Sequence, residues 1–404
     1  MRITDPRVRH QENGIEVSAL VHDFRLWFLL PHGYEPVAVG DAFLACGLAV
    51  AMFRAEPLEI DPELPISRRL SDSLSTIQDV YHSWNANLAR IEVRCALQEP
   101  RPPRPGGASM FSAGVDSLYT LLRHREEIEH LLFICAGFEM GVDDIPSRIA
   151  EYADIAARLG KKLIPIQANF WGYKKAFAID WGLAQAFGLY AVAHLLGFER
   201  TFVGASFTYS ELFPWGSHPL VDPLWSNGTT TLVHDGAEAR RSEKLAFISR
   251  SQPWLDALRV CWIRPQGNCG ACAKCARTML GLELLKARSA AFPPFTRSVL
   301  KRLRPSEPYE DVYLADLLAL ALEVESPRIV RSLRWLRTKH RIRQTLLTFD
   351  RRFCGSRLRW IHARLFGKPL PLDRILVAVP AHQAAERTAQ PPWLPPSPGS
   401  RVRL

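Results

Sequence analysis

No charge-free apolar run of about 18 residues occurs in the 404-residue chain, and its opening, MRITDPRVRHQENG, lacks the apolar segment of a secretory signal. Membrane spanning and export are therefore not expected, and the expected location is cytoplasmic. Cysteine is also scarce: eight residues are too few for a disulfide scaffold in a chain of this size. There is no internal repeat, and the Gly-x-x-x-x-Gly-Lys-Ser/Thr phosphate loop is absent. What remains is an ordinary globular composition, 47% hydrophobic and 23% charged, with enough length for two or three domains.

The charge is unevenly placed. Lys+Arg and Asp+Glu nearly balance over residues 1–300, at 31 against 32, but stand at 20 against 9 over 301–404. Residues 14–58 hold apolar and aromatic stretches (IEVSALV, FRLWFLL, YEPVAVGDAFLA) broken by Pro and Gly, so 1–100 reads as a β-rich or mixed module. A helix is expected near LSDSLSTIQDVYHSWNANLAR, and EPRPPRPGG (99–107) then forms a connector. Beyond it strands alternate with helices: GASMFS with a helix over 116–125, HLLFICAG with one over 146–159, KKLIPIQ with one over 179–197, then RTFVGAS, a loop, TTLVHD and RSEKLAFISR. That alternation predicts an α/β domain over 106–290, a parallel sheet with helices on both faces. Residues 300–366 read as a basic helical region, and 385–404 carry too much proline to pack.

The turn MFSAGVDS sits at the first strand–helix junction of this pattern. In a parallel sheet such a turn lies at the carboxyl edge, where the following helix directs its unpaired N–H groups and positive dipole end. Ser112, Ala113, Gly114, Val115, Asp116 and Ser117 leave the backbone accessible, and two of them add hydroxyls, which suits a phosphate. Asp116 then fits as a Mg²⁺ ligand or as a helix cap. The plainer reading is a tight turn with an aspartate at the helix start.

Four cysteines crowd into CWIRPQGNCGACAKC: Cys261, Cys269, Cys272 and Cys275. Four thiolates so close in sequence can surround one tetrahedral zinc, and four protein ligands leave no open position, so the expected zinc is structural. An iron–sulfur cluster uses the same ligand set, and spacing does not separate the two. Cys46, Cys95, Cys135 and Cys354 sit in scattered contexts and read as small core residues.

Ser-Ala-Gly-Val-Asp-Ser resembles the Ser-Gly-Gly-x-Asp-Ser loop of the PP-loop ATP pyrophosphatases, which cleave ATP to AMP and pyrophosphate while adenylating a substrate. Ala113 stands where that family usually has glycine. The loop, the α/β pattern after it and the Cys-Gly-x-Cys-x-x-Cys quartet together resemble 7-cyano-7-deazaguanine synthase and its relatives over roughly residues 106–288. The resemblance implies the adenine-nucleotide α-hydrolase type of fold, with ATP and Mg²⁺ at Ser112, Gly114, Asp116 and Ser117 and structural zinc at the four cysteines. It also implies activation of a carboxylate or amide, such as 7-carboxy-7-deazaguanine, for attack by ammonia or an amine. The family's substrate motifs do not carry over: AGFEMGVDD (136–144) and SFTYSELFPWGSHPLVDPLW (206–225) share only scattered letters with them, which implies a different or modified acceptor.

The 206–225 loop gathers Ser206, Tyr209, Trp215, His218 and Asp222 among prolines, an aromatic and hydrogen-bonding set that suits a flat heterocycle. It also reads as a structural lid with His218 merely hydrogen-bonded. Lys244 is a candidate phosphate contact, or a solvated charge. In RIVRSLRWLRTKHRIR (328–343), Arg328, Arg331, Arg334 and Arg337 recur every third residue with Val330, Leu333 and Leu336 between them, giving a helix with a basic and an apolar side. That helix is either a platform for RNA or an acidic protein, or a solvated surface; a homo-oligomer is also open. Three functions follow: an AMP-forming ligase, an RNA-base-modifying enzyme of the thiolation type, and a non-catalytic nucleotide-binding module. The added terminal regions also leave room for conjugation to a protein or peptide.

Overall fold

A computed structural model describes residues 1–135, 144–264, 266–303, 305 and 307–353. The chain opens with antiparallel strands β1 (Arg2–Gln11), β2 (Gly14–Val21) and β3 (Phe24–Leu30). β2 and β3 are the apolar runs noted above, whereas β1 is too polar to show in the pattern. Its ladder to β2 shifts between Thr4 and Arg7, where Asp5 takes a left-handed φ of 52° and Pro6 escapes the need for a ladder hydrogen bond.

The end of the third apolar stretch is not a strand. VGDAFLACGLAVAMFR forms helix α1 (Val39–Arg54), rich in alanine and leucine and buried along most of its length. Next come β4 (Leu58–Ile60), β5 (Ile66–Ser67), helix α2 (Arg68–Trp84), β6 (Val93–Arg94) and β7 (Leu97–Gln98). The α/β part follows: β8 (Arg104–Met110), α3 (Val115–Arg123), β9 (Ile128–Ile134), α4 (Ile145–Arg158), β10 (Lys162–Ala168), α5 (Phe170–Ala176), α6 (Trp181–Leu196), β11 (Phe198–Gly204), β12 (Thr231–Asp235), α7 (Arg241–Ile248) and α8 (Gln252–Asp256). Helices α9 (Ala273–Leu284), α10 (Glu310–Glu323) and α11 (Pro327–Phe353) complete the described chain. The expected helical residues 354–366 and the proline-rich tail lie outside it, as does most of AGFEMGVDD.

Ten strands form one sheet in the order β12-β11-β8-β9-β10-β3-β2-β1-β4-β6. The five from β12 to β10 run parallel. β8 lies at their centre; β9 and β10 build outward on one side, and the chain then crosses through α5 and α6 to place β11 and β12 on the other. Strand order therefore reverses between β8 and β11, and in open α/β sheets the carboxyl ends at such a reversal are where ligands usually bind.

The N-terminal segment does not stand apart as a module. β3 pairs antiparallel with β10 through Leu29–Gln167 and Phe28–Ala168, and one core joins Phe28, Phe43 and Tyr81 to Phe187, Tyr190 and Trp225. Burying one such aromatic side chain contributes about 1.5–3 kcal/mol, so this shared layer binds the segment to the α/β part. A second core on the opposite face unites the sheet with α3, α4, α7 and α9. A third packs α10 and α11 onto α9, with Val330 and Leu333 buried as the amphipathic pattern requires.

Candidate active site and metal centre

Beyond β8 the backbone turns sharply at Ala113, which is buried and left-handed at φ 51°. An L-residue with a Cβ spends about 1 kcal/mol to stand there, and glycine would spend little. Gly114 is the N-cap of α3, and a Cβ on it would meet only Ser112 Oγ, at 3.2 Å, so this side of the turn is open. The hydrogen bonds within the turn are long: Gly114 N to Ser112 Oγ and Ser112 N to Ser117 Oγ are both 3.4 Å. Val115, Asp116 and Ser117 begin the helix, and their amides point into the opening. Gly204, at the end of β11, lets the two strand ends meet, since a Cβ there would fall 2.9 Å from Asp116 O.

Asp116 does not cap the helix with its carboxylate. Arg241 Nη1 donates to it at 2.5 Å, and Lys244 Nζ lies 3.5 Å away. Burial would raise the pKa of this carboxyl, but the guanidinium and ammonium outweigh it and hold the group below the ordinary carboxylate value. Lys244 is 1% exposed and also donates to Ala205 O at 2.6 Å; loss of water lowers its pKa, with Asp116 pulling the other way.

Arg277 adds a third cation from α9. Its guanidinium lies 4.2 Å over the Tyr313 ring, and its buried Nη1 faces the Glu310 carboxylate as an ion pair at 3.5 Å without a well-aligned hydrogen bond. It lines a cavity of about 20 Å³ with Val115, Arg241, Tyr313 and Asp316. Helix α10 is pinned here because the Asp316 carboxylate accepts from both the amide and the hydroxyl of Ser242 in the first turn of α7. Sequence reasoning singled out Lys244 and missed Arg241, although the two are three apart on one helix face. Nothing local marks Arg277 or Tyr313.

The candidates in the 206–225 loop separate into two groups. Trp215 joins an aromatic wall with Phe207, Phe213, Tyr309 and Tyr313, its ring 5.2 Å from Tyr309 and its Nε1 buried without a partner. Ser206 lies beside this wall, and Tyr209 projects outward, 59% exposed. Asp222 is withdrawn from any ligand. It is fully buried and accepts from Tyr190 Oη (2.5 Å), His218 N (2.9 Å), Ser217 Oγ (2.8 Å) and His234 Nδ1 (2.7 Å), which fills both oxygens. His218 is buried edge-on against Trp84 and accepts from Leu220 N at Nδ1; burial and neighbouring His234 lower its pKa. Asp222 and His218 therefore staple the loop.

The four cluster cysteines do meet. Their sulfurs all lie within 4.8 Å of one another, with Cys269 and Cys275 at 3.9 Å. A tetrahedral zinc with bonds of about 2.3 Å sets its thiolates about 3.8 Å apart, so the quartet fits a single ion such as zinc; an iron–sulfur cluster would interpose its own atoms. Backbone amides point at the sulfurs: Arg264 N at Cys261, Ala271 N and Cys272 N at Cys269, and Cys275 N at Cys272. The Cys275 thiol and amide bring the Cys272 thiol down to about 5 against its burial, and the same thiol contact raises Cys275. Gly270 turns the chain at φ 64°, where a Cβ would strike Pro293 at 2.4 Å. The remaining cysteines in the described chain do not join this group: Cys46 and Cys135 are core residues and Cys95 is half-buried.

The cysteine quartet is tied to the turn after β8. Arg259 N, two residues before Cys261, donates to Ala113 O at 2.8 Å, while the Arg259 guanidinium braces the Cys261 and Arg264 carbonyls and Glu151. Helix α9 starts at Cys272 as its N-cap and carries Arg277 one and a half turns on. Arg241 and Lys244, which pair with Asp116, and Arg277, which lines the small cavity beside Val115, thus gather near the amino end of α3. No protein family, no curated protein and no solved structure matches this chain.

Proposed function

We propose that the chain is an ATP-dependent, AMP-forming enzyme of the PP-loop type, which adenylates a carboxylate or amide and passes it to ammonia or an amine. The observation that carries this reading is the convergence of Arg241, Lys244 and Arg277 on an open, amide-lined turn at the strand-order reversal. The acceptor oxygen attacks the α-phosphorus of ATP and pyrophosphate leaves with the bridging electron pair; a carboxylate gives an acyl adenylate, and an amide, losing its N–H proton, gives an O-adenylated imidate. The amine then attacks the acyl carbon, loses a proton, and AMP departs. Ser112, Ser117 and the amides of 114–117 receive the pyrophosphate, and the dry Lys244 ammonium meets the charge that builds on it.

Ala113 is compatible with this role because it already takes the glycine-like backbone conformation. Asp116 alone, held by two cations, is a poor standing Mg²⁺ site, so the metal enters with the nucleotide and Arg241 turns to phosphate. The cysteines serve as a closed structural centre, which weighs against a thiolation enzyme needing a free cysteine. The Trp215–Tyr309 wall receives the acceptor. Exposed Tyr209, Leu212, Leu220, Trp262 and Ile263 stand on the loops around this edge, which favours a second reading in which the attacking amine belongs to a polypeptide.

Release of AMP and pyrophosphate from Mg²⁺-ATP, measured with zinc-loaded protein over a carboxylate panel that includes 7-carboxy-7-deazaguanine, tests the reading. Release that needs both one acceptor and Lys244 supports it. ATP binding without release under any acceptor, peptide amines included, leaves a binding module instead.

A further inference from the structure

Helix α11 buries one side against α10 and the rest of its core through Val330 and Leu333, yet it carries a second apolar row. Trp335, Ile342, Leu346, Phe349 and Phe353 are each more than half exposed. At 100° per residue they fall within about 60° of the helix circumference and extend over about 27 Å. The spacing from Ile342 to Phe353 alternates four, three and four residues, the interval of a coiled-coil seam. Cations border the row: Arg331, Arg334, Lys339 and Arg343 are exposed, and among the described residues none of them meets a carboxylate. Arg337 and Arg341, by contrast, are held by Asp311.

Beside Trp335 the seam opens into a groove of about 540 Å³, lined by Leu300, Leu303, Leu336, Lys339 and His340. His340 is 3% exposed, and neither ring nitrogen has a partner. The groove therefore presents an apolar floor, a buried imidazole and a cationic rim.

We propose that this face of α11 docks an amphipathic helix of a partner protein whose apolar seam is flanked by acidic residues. A second copy of this chain would bring like charges together along the whole seam. Residues 354–404 carry eight Lys+Arg against Asp373 and Glu386, so the chain's own tail is equally mismatched. The row is too narrow for a bilayer-lying helix, which needs a broad apolar face. Nucleic acid would use the cations and the aromatic rings but gives Ile342 and Leu346 nothing to contact. An acidic-flanked helix uses all of them and brings carboxylates to the exposed Lys339 and Arg343 of the groove rim.

The test uses the full chain and a labelled helical peptide of four heptads, with leucine at the seam and glutamate on both flanks, followed by fluorescence anisotropy. Its lysine-flanked twin is the control. The glutamate peptide should bind at least tenfold tighter than its twin. Ile342→Asp with Leu346→Asp should abolish binding at unchanged melting temperature, since both side chains are exposed. Lys339→Glu with Arg343→Glu should weaken the glutamate peptide at least tenfold and strengthen its twin. Equal binding of the two peptides, or indifference to the seam variant, overturns the proposal. So does a dimer in light scattering that Ile342→Asp dissolves, or oligonucleotide or anionic-vesicle binding that outcompetes the glutamate peptide.

Discussion

Asp116, in the first turn of the helix after β8, and Asp222, in the loop after the neighbouring β11, have opposite surroundings. Asp222 is sealed from water and accepts four hydrogen bonds, two on each oxygen. Asp116 is partly exposed, meets two cations, and stands beside amides whose bonds are long. A carboxylate with every lone pair taken holds the fold; one held only by charges that a phosphate would attract as strongly is exchangeable. The same contrast separates the two loops as wholes, one stapled shut and the other left open.

The largest perturbation of that contrast is loss of the metal, because the open loop leans on the cysteine centre through Arg259 and Arg277. Chelation under reducing conditions should release residues 259–284 in hydrogen exchange and weaken pyrophosphate binding at least tenfold. The stapled segment 217–235 should keep its protection; equal loss of protection in both would show that the two loops are not independent.

Asp222→Ala comes next. It strands the His218 amide, the Ser217 hydroxyl and His234 Nδ1, and should cost about 3 kcal/mol in urea unfolding, while pyrophosphate affinity of the folded fraction stays within a few-fold. Asp116→Ala should invert the pattern, with a stability change of about 1 kcal/mol and at least a hundredfold loss of AMP formation, a loss of about 2.7 kcal/mol in transition-state stabilisation. If both variants lose stability alike, the distinction fails.

The pH dependence follows from the same residue. Since the folded pKa of Asp116 is depressed, its contribution to stability is present above the ordinary carboxylate pKa and fades as pH falls through the lowered folded value. Asp116→Asn should therefore flatten the acid limb of the stability–pH profile, measured by urea midpoints from pH 6 downward. The smallest effect is expected of Ala113→Gly. Relief of the left-handed strain, set against a lost buried methyl and a more flexible unfolded chain, should leave stability within about 1 kcal/mol and ATP turnover intact.

Much of the α/β part is legible in the chain because strand runs and amphipathic helices alternate there with clear punctuation, and the observed elements match those runs to within a few residues. The first hundred residues read less well. The polar β1 owes its place to partners on both sides, and α1 is so evenly apolar that it shows no amphipathic period. The fusion of this segment to the sheet through β3 and β10 joins residues about 140 apart, which no local pattern encodes. The exposed seam of α11 is equally hidden, since the apolar residues between its arginines fit the buried face and draw attention away from Ile342, Leu346 and Phe349.

By itself the sequence determined the small-residue turn after β8, the metal-ready cysteine quartet, the strand–helix alternation and the basic C-terminal excess, because each depends on residues close together in the chain. Only the tertiary structure decided which charges face the turn. Arg241 and Lys244 come from α7, Arg277 from α9 and Tyr313 from α10. It also withdrew Asp222 and His218 into a staple. A side chain's availability depends on what folding places against it: the cations on Asp116 come from more than a hundred positions away, and Asp222 and His218 are sealed by Tyr190 and Trp84 as well as by their near neighbours.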